Sequence, residues 1–353
     1  MQETTRVFAV LGDAPLRRHL QQQWRGSGTT LCGMHSEGGD SLVEEIVRVR
    51  PDVVLIDVEA DGAKPLIQIV SSRRRVPVVA LVRAQQPSFT ALRVFEWGAV
   101  NAVPRECDNI AELGARLDQA VHEASIAQVV DMIDNHFPLS GAFPDAAVFD
   151  VRRRLQQRDP ASKIVVLCAG LGGPVAVWRI LRDLKTAVVS PIVVAQRMPE
   201  MLATGLAQWL EHHSGAQVVR AVSGPLEVRG VYIVPSGYDA RVESHAGRPT
   251  LVVAPASHPA TPNFDALFES VATTYADRAI AALLTGLGVD GVEGLRSVRR
   301  AGGLTIAQDR VSSWVHETAS LARDGGAAIE CLPINEIAER ILMLMRTEPA
   351  HRA

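Results

Sequence analysis

The feature that most restricts the fold of this chain is an alternation of short β-branched runs with amphipathic stretches. Within residues 1–106 five runs read as strands: RVFAVL (6–11), TTLCGM (29–34), DVVLID (52–57), VPVVALV (76–82) and NAVP (101–104). Helical patterns such as PLRRHLQQQW and SLVEEIVRVR separate them. Strands that alternate with helices favour a parallel sheet covered on both faces. We therefore predict an α/β domain with a doubly wound parallel sheet over residues 1–106.

Composition limits the class of protein and the kinds of partner. The chain has 353 residues, of which 47% are hydrophobic and 21% charged, which suits two globular domains and excludes a mainly disordered chain. A net charge of -3 gives no global electrostatic reason to expect nucleic acid or an anionic membrane as partner. No paired spacing that would indicate a zinc site or a disulfide framework links Cys32, Cys107, Cys168 and Cys331. No leader segment or bilayer-length apolar run is recognisable, so we expect a cytoplasmic protein without membrane insertion.

Chemically active side chains are expected just after the strands, because ligands of parallel sheets bind at the carboxyl ends of the strands. In residues 1–106 these positions hold Gly12, Asp13, Asp57, Glu59, Val82, Arg83 and Arg105. The segment PDVVLIDVEADG, in which Asp57 closes a strand, resembles the region of the phospho-accepting aspartate in receiver domains of two-component response regulators. The resemblance implies a flavodoxin-like receiver fold with Asp57 as the candidate phospho-acceptor. The alternative is that Asp57 is a carboxylate of a surface loop.

The metal-binding part of this predicted receiver site departs from the family pattern. Receivers hold Mg²⁺ with an acidic pair after the first strand, since a hard cation needs several carboxylate oxygens. That pair falls on Leu11 and Gly12, with Asp13 one place late. Asp13 and Asp57 are therefore only weak candidates for a Mg²⁺ site.

The switching positions of the receiver pattern are also changed. The serine or threonine after the fourth strand is Val82, and the lysine after the fifth strand is Arg105. Arginine keeps the positive charge but presents it as a planar fork, so it does not simply replace lysine. We expect a receiver fold that no longer takes phosphate efficiently.

Residues 107–160 are predicted to connect two domains. The segment IAELGARLDQAVHEASIAQVVDMI has apolar positions three and four apart and reads as a long helix that extends the last receiver helix. The segment DNHFPLSGAFPDAAVF contains Pro and Gly without a regular period and reads as a linker. A second α/β domain is predicted over residues 161–347, followed by a tail at 348–353.

The second domain opens on a glycine turn. The segment VLCAGLGGP leads from a strand into the helical pattern VAVWRILRDL, and further predicted strands are PIVVAQ (191–196), GVYIVP (230–235), TLVVAP (250–255), AIAALLTG (279–286) and LTIAQD (304–309). Such a turn either cradles a phosphate or presents a nucleophile, yet this one holds no Lys, Ser or Thr. A dinucleotide site is disfavoured, because VVAQRMP offers no acidic ribose partner after the next strand. We expect no cofactor.

Four collinear motifs of this second half carry a resemblance to an enzyme family. They are AGLGGP, AQRMPEMLATGLAQWL, FDALFESVA and LLTGLGVDGVEGLRSVRRAGGLTIAQD. In order and spacing they resemble the Rossmann-like catalytic domain of the chemotaxis protein-glutamate methylesterase (CheB) family over about residues 163–347. Receiver, linker and this domain are that family's architecture. The resemblance implies a flagellar or pilus-linked chemosensory pathway, with chemoreceptors, array proteins and a histidine kinase as partners.

The chemistry that the resemblance implies is hydrolysis of receptor glutamate methyl esters by a Ser-His-Asp triad. The serine of the family's GASTGG falls on Gly170, the histidine of QHMP falls on Arg197, and the aspartate of TGxGxDG is Asp290. Only Asp290 matches the triad. The turn is thus built to present a nucleophile that is absent, and we predict a pseudoenzyme.

Alternatives to a lost site are open at the level of sequence. Cys168 lies two residues before the vacant position, but a thiol inside a strand is expected to be buried and inert. Arg197 opposite Asp290 forms either a pair that repairs a lone buried charge or an anion pocket. The two function hypotheses are accordingly a non-catalytic signalling protein and an active methylesterase or glutaminase with a rebuilt site.

Overall fold

The computed structural model describes residues 4–83, 91–129, 163–184, 190–227, 230–256 and 261–346. The chain divides into two compact units, Met1–Asn135 and His136–Ala353. Most of the predicted linker, from residue 130 to 160, and the predicted tail at 348–353 lie outside the described residues. No helix within the described ranges is long and apolar enough to cross a membrane.

The first unit is built on a five-stranded sheet. Its strands are β1 (Thr5–Val10), β2 (Thr29–His35), β3 (Val53–Asp57), β4 (Val78–Val82) and β5 (Asn101–Pro104). Its helices are α1 (Ala14–Gln23), α2 (Asp40–Val49), α3 (Ala63–Arg74), α4 (Arg93–Glu96) and α5 (Ile110–Ser125). The strand order is β2-β1-β3-β4-β5, and every neighbouring pair is parallel. This is the flavodoxin-like order, so the predicted α/β fold is confirmed.

The core of the first unit follows from the composition of its strands. All positions of β3 and β4 are buried, and since successive side chains of a strand point to opposite faces, both faces of the sheet are covered. On one face, Leu16 and Leu20 of α1 pack with Leu113, Leu117 and Val121 of α5. The predicted long helix is shorter than expected, because α5 ends at Ser125 and residues 126–129 are not helical, and its packing places α5 in the core of the first unit.

The second unit contains a larger and a smaller sheet. Its strands are β6 (Ile164–Ala169), β7 (Ile192–Gln196), β8 (Val218–Arg220), β9 (Gly224–Pro225), β10 (Val231–Val234), β11 (Tyr238–His245), β12 (Arg248–Pro255), β13 (Ala279–Leu283), β14 (Leu304–Gln308) and β15 (Glu330–Leu332). Its helices are α6 (Gly173–Leu184), α7 (Glu200–Ser214), α8 (Phe264–Tyr275), α9 (Val292–Arg300), α10 (Glu317–Asp324) and α11 (Ile334–Arg346). The large sheet is parallel, with the order β15-β14-β13-β6-β7-β10-β8.

One predicted strand of the alternation lies in the smaller sheet. The run TLVVAP is part of β12, which pairs antiparallel with β11 on one side and with β9 on the other. Ala246 and Gly247 join β11 to β12 with φ angles of 51° and 77°, the left-handed pair typical of a type I′ hairpin turn. A two-residue connection allows only an antiparallel pair, so this run cannot continue the parallel sheet.

The order of the large sheet brings three strand ends together. Strand β6 lies between β7 on one side and β13 on the other. The chain completes β7, β8 and β10 before it crosses back to β13, so the carboxyl end of β6 is a topological switch point, where ligands of open α/β sheets bind. The residues that follow β6, β7 and β13 meet at this point.

Candidate functional site

The turn after β6 is shaped by glycine. Gly170 N donates to the carbonyl oxygen of Thr285 at 2.9 Å, and Gly173 N donates to that of Gly170 at 2.9 Å, which closes the turn before α6. Gly172 has a φ of +76°, and a Cβ there would lie 2.9 Å from the Cβ of Trp314. A left-handed backbone and so close a neighbour both require glycine at position 172.

The position that the resemblance gives to the nucleophile lies at the start of this turn. Gly170 is not in the left-handed region, and a Cβ there would meet the Cα of Gly286 at 3.2 Å. Gln196 Nε2 donates to the carbonyl oxygen of Gly170 at 2.8 Å and to that of Arg197 at 2.7 Å. Positions 170 and 197 are thus held side by side, with neither a hydroxyl nor an imidazole on them.

The side chain of Arg197 lies on Asp290. Its Nη2 donates to Oδ2 of Asp290 in an ion pair, and its Nε donates to the carbonyl oxygen of Pro262 at 3.1 Å. The guanidinium also stacks over Phe264, 4.2 Å from the ring centroid, as a cation–π contact. A carboxylate, a carbonyl and an aromatic ring therefore fix a guanidinium where the resemblance places an imidazole.

Asp290 makes further contacts that the sequence did not reveal. Its carboxylate accepts hydrogen bonds from the backbone N of Phe264 at 2.8 Å and of Asp265 at 3.1 Å, in the first turn of α8. In return, the Asp265 carboxylate accepts from the backbone N of Gly291 at 2.9 Å and of Gly294 at 2.6 Å, at the start of α9. We call these reciprocal contacts the aspartate exchange. Each carboxylate satisfies free N–H groups at the positive end of the other helix.

The aspartate exchange brings two carboxylates together, and this affects the pKa of Asp265. Burial raises the pKa of Asp265, and the negative charge of Asp290 raises it further, against the lowering effect of the backbone hydrogen bonds from Gly294 and Gly291. Arg197 supplies the positive charge that this pair of carboxylates needs. Because its guanidinium is already engaged, the geometry favours charge repair over an open anion pocket.

The thiol of Cys168 is poorly placed to replace the missing nucleophile. The residue is fully buried between Ala195 of β7 and Leu283 of β13, inside the hydrophobic core. Burial raises the pKa of Cys168 well above its usual range, and the charge of Asp290 raises it further. The nucleophilic thiolate is therefore suppressed.

A hydroxyl and an imidazole that the sequence did not single out lie beside the loop after β14. Nδ1 of His316 is 3.1 Å from Oγ of Ser320. The loop is tied to the site, since Gly286 N donates to the carbonyl oxygen of Val315 at 2.8 Å and Thr318 N donates to that of Gly286 at 3.3 Å. The spacing of four residues between His316 and Ser320 could have indicated this pair, because it puts both side chains on one helix face. Among the residues the structure covers, no carboxylate contacts the ring of His316 to orient it.

At the carboxyl edge of the first unit, Arg105 joins two aspartates. Its Nη2 donates to Oδ2 of Asp57, and its Nη1 lies 3.3 Å from Oδ2 of Asp13. Asp57 is 2% exposed, and its Oδ1 accepts from the backbone N of Glu59 at 3.1 Å. Asp13 also caps α1, because its Oδ1 accepts from the backbone N of Leu16 at 2.8 Å. The interpretation of Asp57 as a surface loop carboxylate is therefore wrong.

These residues do not fit a divalent cation. Mg²⁺ needs several oxygen ligands in near-octahedral geometry, whereas a guanidinium here contacts both aspartates. The preceding positions, Leu11 and Gly12, offer no carboxylate, and Val82 at the switching position is buried and has no hydroxyl. Throughout the described ranges, no group of three or more His, Cys, Asp or Glu side chains could hold a metal ion. Arg105, at the position of the family's lysine, therefore contacts both of the aspartates that the resemblance offers as metal ligands.

Known proteins similar to this chain agree with its fold and with the arrangement of its motifs. Residues 165–341 match the family described as CheB methylesterase. The protein-glutamate methylesterase FrzG of Myxococcus xanthus is 34% identical over 83% of this chain and 84% of its own length. A protein-glutamate methylesterase/protein-glutamine glutaminase of Symbiobacterium thermophilum is 30% identical over 97% of both chains. The crystal structure of the Thermotoga maritima CheB methylesterase catalytic domain has a TM-score of 0.50 and 29% identity, and the match covers 52% of this chain and 99% of that domain. The protein therefore belongs to the CheB protein-glutamate methylesterase family.

Proposed function

We propose that this chain is a chemosensory signalling protein of the CheB family that does not hydrolyse receptor methyl esters. The observation that carries the proposal is the contact of Arg197 with Asp290 beside Gly170. Ester hydrolysis by a triad needs a nucleophile and a base that accepts its proton. Glycine supplies no nucleophile, and a guanidinium stays protonated in proteins, so Arg197 supplies no base.

Without ester hydrolysis, the function left to this chain is binding to chemosensory partners. The core of the second unit is intact, with Val166, Phe268 and Leu295 fully buried across the sheet and its helices. A stable fold without the reactive side chains is what a binding protein requires. We propose chemoreceptors, other array proteins and a histidine kinase of a flagellar or pilus-linked pathway as the partners.

Methanol release from a methylated receptor fragment tests the proposal. The unmodified protein should release no more methanol than a heat-inactivated sample, while an active family member assayed in parallel should release it readily. In subtilisin, which also uses a Ser-His-Asp triad, loss of the serine or the histidine lowers kcat by about 10⁶. Sustained turnover by the unmodified protein would contradict the proposal.

A double variant tests whether two positions separate this chain from activity. Gly170→Ser is compatible with the backbone, although the new Cβ would stand 3.2 Å from the Cα of Gly286 and requires a small shift. Gly170→Ser with Arg197→His should gain methanol release, and each single change should stay silent because a triad acts as a unit. The matched control is Gly170→Ala with Arg197→His, which adds the same Cβ without the hydroxyl. Equal activity in the control would show that any gain does not come from a rebuilt triad.

Hydrolysis by a different pair of side chains is the second candidate function. The observation in its favour is the distance of 3.1 Å between His316 Nδ1 and Ser320 Oγ, which suits a base and a nucleophile. If the unmodified protein does release methanol, Ser320→Ala and His316→Gln should both abolish it. Ser297→Ala, on the solvent side of α9, is the control that should change nothing.

The first unit is proposed to act without phosphorylation. The acidic pair that would hold Mg²⁺ falls on Leu11 and Gly12, and Arg105 already pairs with the Asp57 carboxylate. Incubation with a small phosphodonor and Mg²⁺, followed by mass spectrometry, should leave Asp57 unmodified. Rapid Mg²⁺-dependent labelling that disappears in Asp57→Ala would overturn this part of the proposal.

A further inference from the structure

The amino-terminal edge of the first-unit sheet carries a row of arginines, on the edge opposite to Asp57. All members of the row are exposed and lie at the ends of helices or the beginnings of strands β1 to β4. We call these residues the arginine row: Arg6, Arg25, Arg48, Arg50, Arg73, Arg74 and Arg75.

The arginine row crosses neighbouring strands. Arg25 precedes β2, Arg6 lies in β1, Arg50 precedes β3 and Arg74 precedes β4. These four strands are consecutive in the sheet order β2-β1-β3-β4. Since neighbouring strands are about 4.8 Å apart, the row extends over roughly 15 Å of the edge.

Few acidic side chains balance this charge. In the three connections at residues 24–28, 47–52 and 72–77, the one acidic residue is Asp52, and its carboxylate accepts from the backbone N of Arg6 at 2.7 Å. Two carboxylates of α5, those of Asp118 and Glu123, lie at the same edge and hydrogen-bond to the first residues of β2 and β5. The arginines therefore outnumber the acids around them, and the edge is positively charged.

Helix dipoles explain part of the row. Arg48 lies in the last turn of α2, and Arg73 and Arg74 lie in the last turn of α3, where positive side chains are stabilising. Arg50 and Arg75 end the same two helices and share this stabilisation, but they adopt left-handed φ angles of 49° and 54°, which the dipole does not require. Glycine removes the steric cost at such positions. Arginine at both, in spite of this cost, points to a use for the guanidinium groups.

We propose that the arginine row binds an acidic segment of a partner protein. Guanidinium groups pair with carboxylates through two parallel hydrogen bonds, and arginine is enriched in protein interfaces. Nucleic acid is disfavoured, because the aromatic side chain in these connections, Trp24, is 3% exposed and cannot stack on bases. A membrane is disfavoured, because the large apolar side chain exposed here, Val47, is too small to anchor the edge in lipid.

Peptide binding by the full chain tests the proposal. The probe is a fluorescent peptide of about ten residues with a glutamate-rich centre, since about five extended residues span the row. It should bind at low ionic strength and weaken as salt rises. Arg73→Gln with Arg74→Gln should lower the affinity about tenfold or more, because two charge-assisted contacts are lost.

The second unit supplies a matched control. Arg299 and Arg300 form the same exposed dipeptide in the last turn of α9, so Arg299→Gln with Arg300→Gln changes charge and helix dipole equally. Peptide affinity should stay unchanged in this control. Equal loss in both double variants would overturn the proposal, as would absence of binding at low salt.

Arg50→Gly separates a binding role from a structural one. Glycine suits the left-handed backbone, so the melting temperature should rise, while peptide affinity should fall because one guanidinium is lost. Higher stability with unchanged affinity would overturn a role for Arg50 in binding. Tighter binding of the unmodified chain to phosphatidylserine vesicles or to a DNA duplex than to the peptide would assign the row to another class of partner and overturn the proposal.

Discussion

Replacement of Arg105 by alanine should destabilise the first unit strongly. Asp57 is 2% exposed and would keep one hydrogen bond, from the backbone N of Glu59. Removal of one partner of a buried ion pair costs about 3–5 kcal/mol, because the remaining charge stays buried without compensation. Arg105 is itself 22% exposed, so water can enter the vacated space, and the expected loss is about 3 kcal/mol, the lower end of that range.

Arg83 provides the matched control for this prediction. It follows the neighbouring strand β4 and pairs with Glu59 at 2.7 Å, but the two side chains are 50% and 43% exposed. An exposed pair contributes about 0.2–1 kcal/mol, so Arg83→Ala should have a small effect. Asp57→Asn combined with Arg105→Ala removes the uncompensated charge and should recover most of the loss.

Hydrogen exchange of the full chain measures these effects. A chain with two units has no single unfolding free energy, whereas the slowest amides of β1 and β3 report the stability of the first unit. A loss of about 3 kcal/mol accelerates their exchange about 100-fold, and Arg83→Ala should accelerate it less than about tenfold. Equal acceleration by the two variants, or no recovery with Asp57→Asn, would refute the role given to Arg105.

Three other side chains have expected behaviour that follows from burial. Because burial raises the pKa of Cys168 well above its usual range, a maleimide at neutral pH should modify exposed Cys331 and leave Cys168 unmodified, as mass spectrometry of the folded chain can show. Tyr275→Phe should keep or raise the melting temperature at pH 7, since its buried hydroxyl has no hydrogen-bond partner among the described residues. Burial raises the pKa of Tyr275 from 10.0 to about 12, so stability present below pH 10 should be lost towards pH 12, and the phenylalanine variant should lack this loss in alkaline thermal melts. The pKa of Asp265 is raised in the folded state from 3.8, so its protonation adds stability that is lost as pH rises through the raised value. Asp265→Asn, which keeps an acceptor for α9, should be at least as stable at pH 7 and lack that dependence, while Asp265→Ala should melt lower.

The strands that the sequence revealed are those buried on both faces. The runs of β3, β4 and β6 consist of apolar residues along their length except for the closing Asp57, and they are buried at every position. Strands β8, β9 and β15 are two or three residues long with mixed exposure, too short to show a period. The antiparallel direction of β12 was not predictable for another reason. The residues of a strand do not indicate its direction, and the hairpin turn before β12 decides how it pairs.

The candidate site was predictable only as far as strand ends could be aligned. Positions 170, 197 and 290 follow β6, β7 and β13, so the resemblance was enough to expect Arg197 near Asp290. The aspartate exchange was not predictable, because it joins the first turns of two helices whose relative position depends on packing. The contact of Arg105 with both Asp13 and Asp57 likewise depends on which rotamer the longer side chain takes.

The aspartate exchange makes the decay of such a site unequal among its members. A triad serine or histidine is retained only while hydrolysis is under selection, so drift can replace either one. An aspartate that also accepts hydrogen bonds from the first-turn amides of α8 is retained by selection for folding, whether or not ester hydrolysis is kept. Survival of an aspartate at position 290 in a family member is therefore no evidence of turnover, and positions 170 and 197 are where a loss of activity would show.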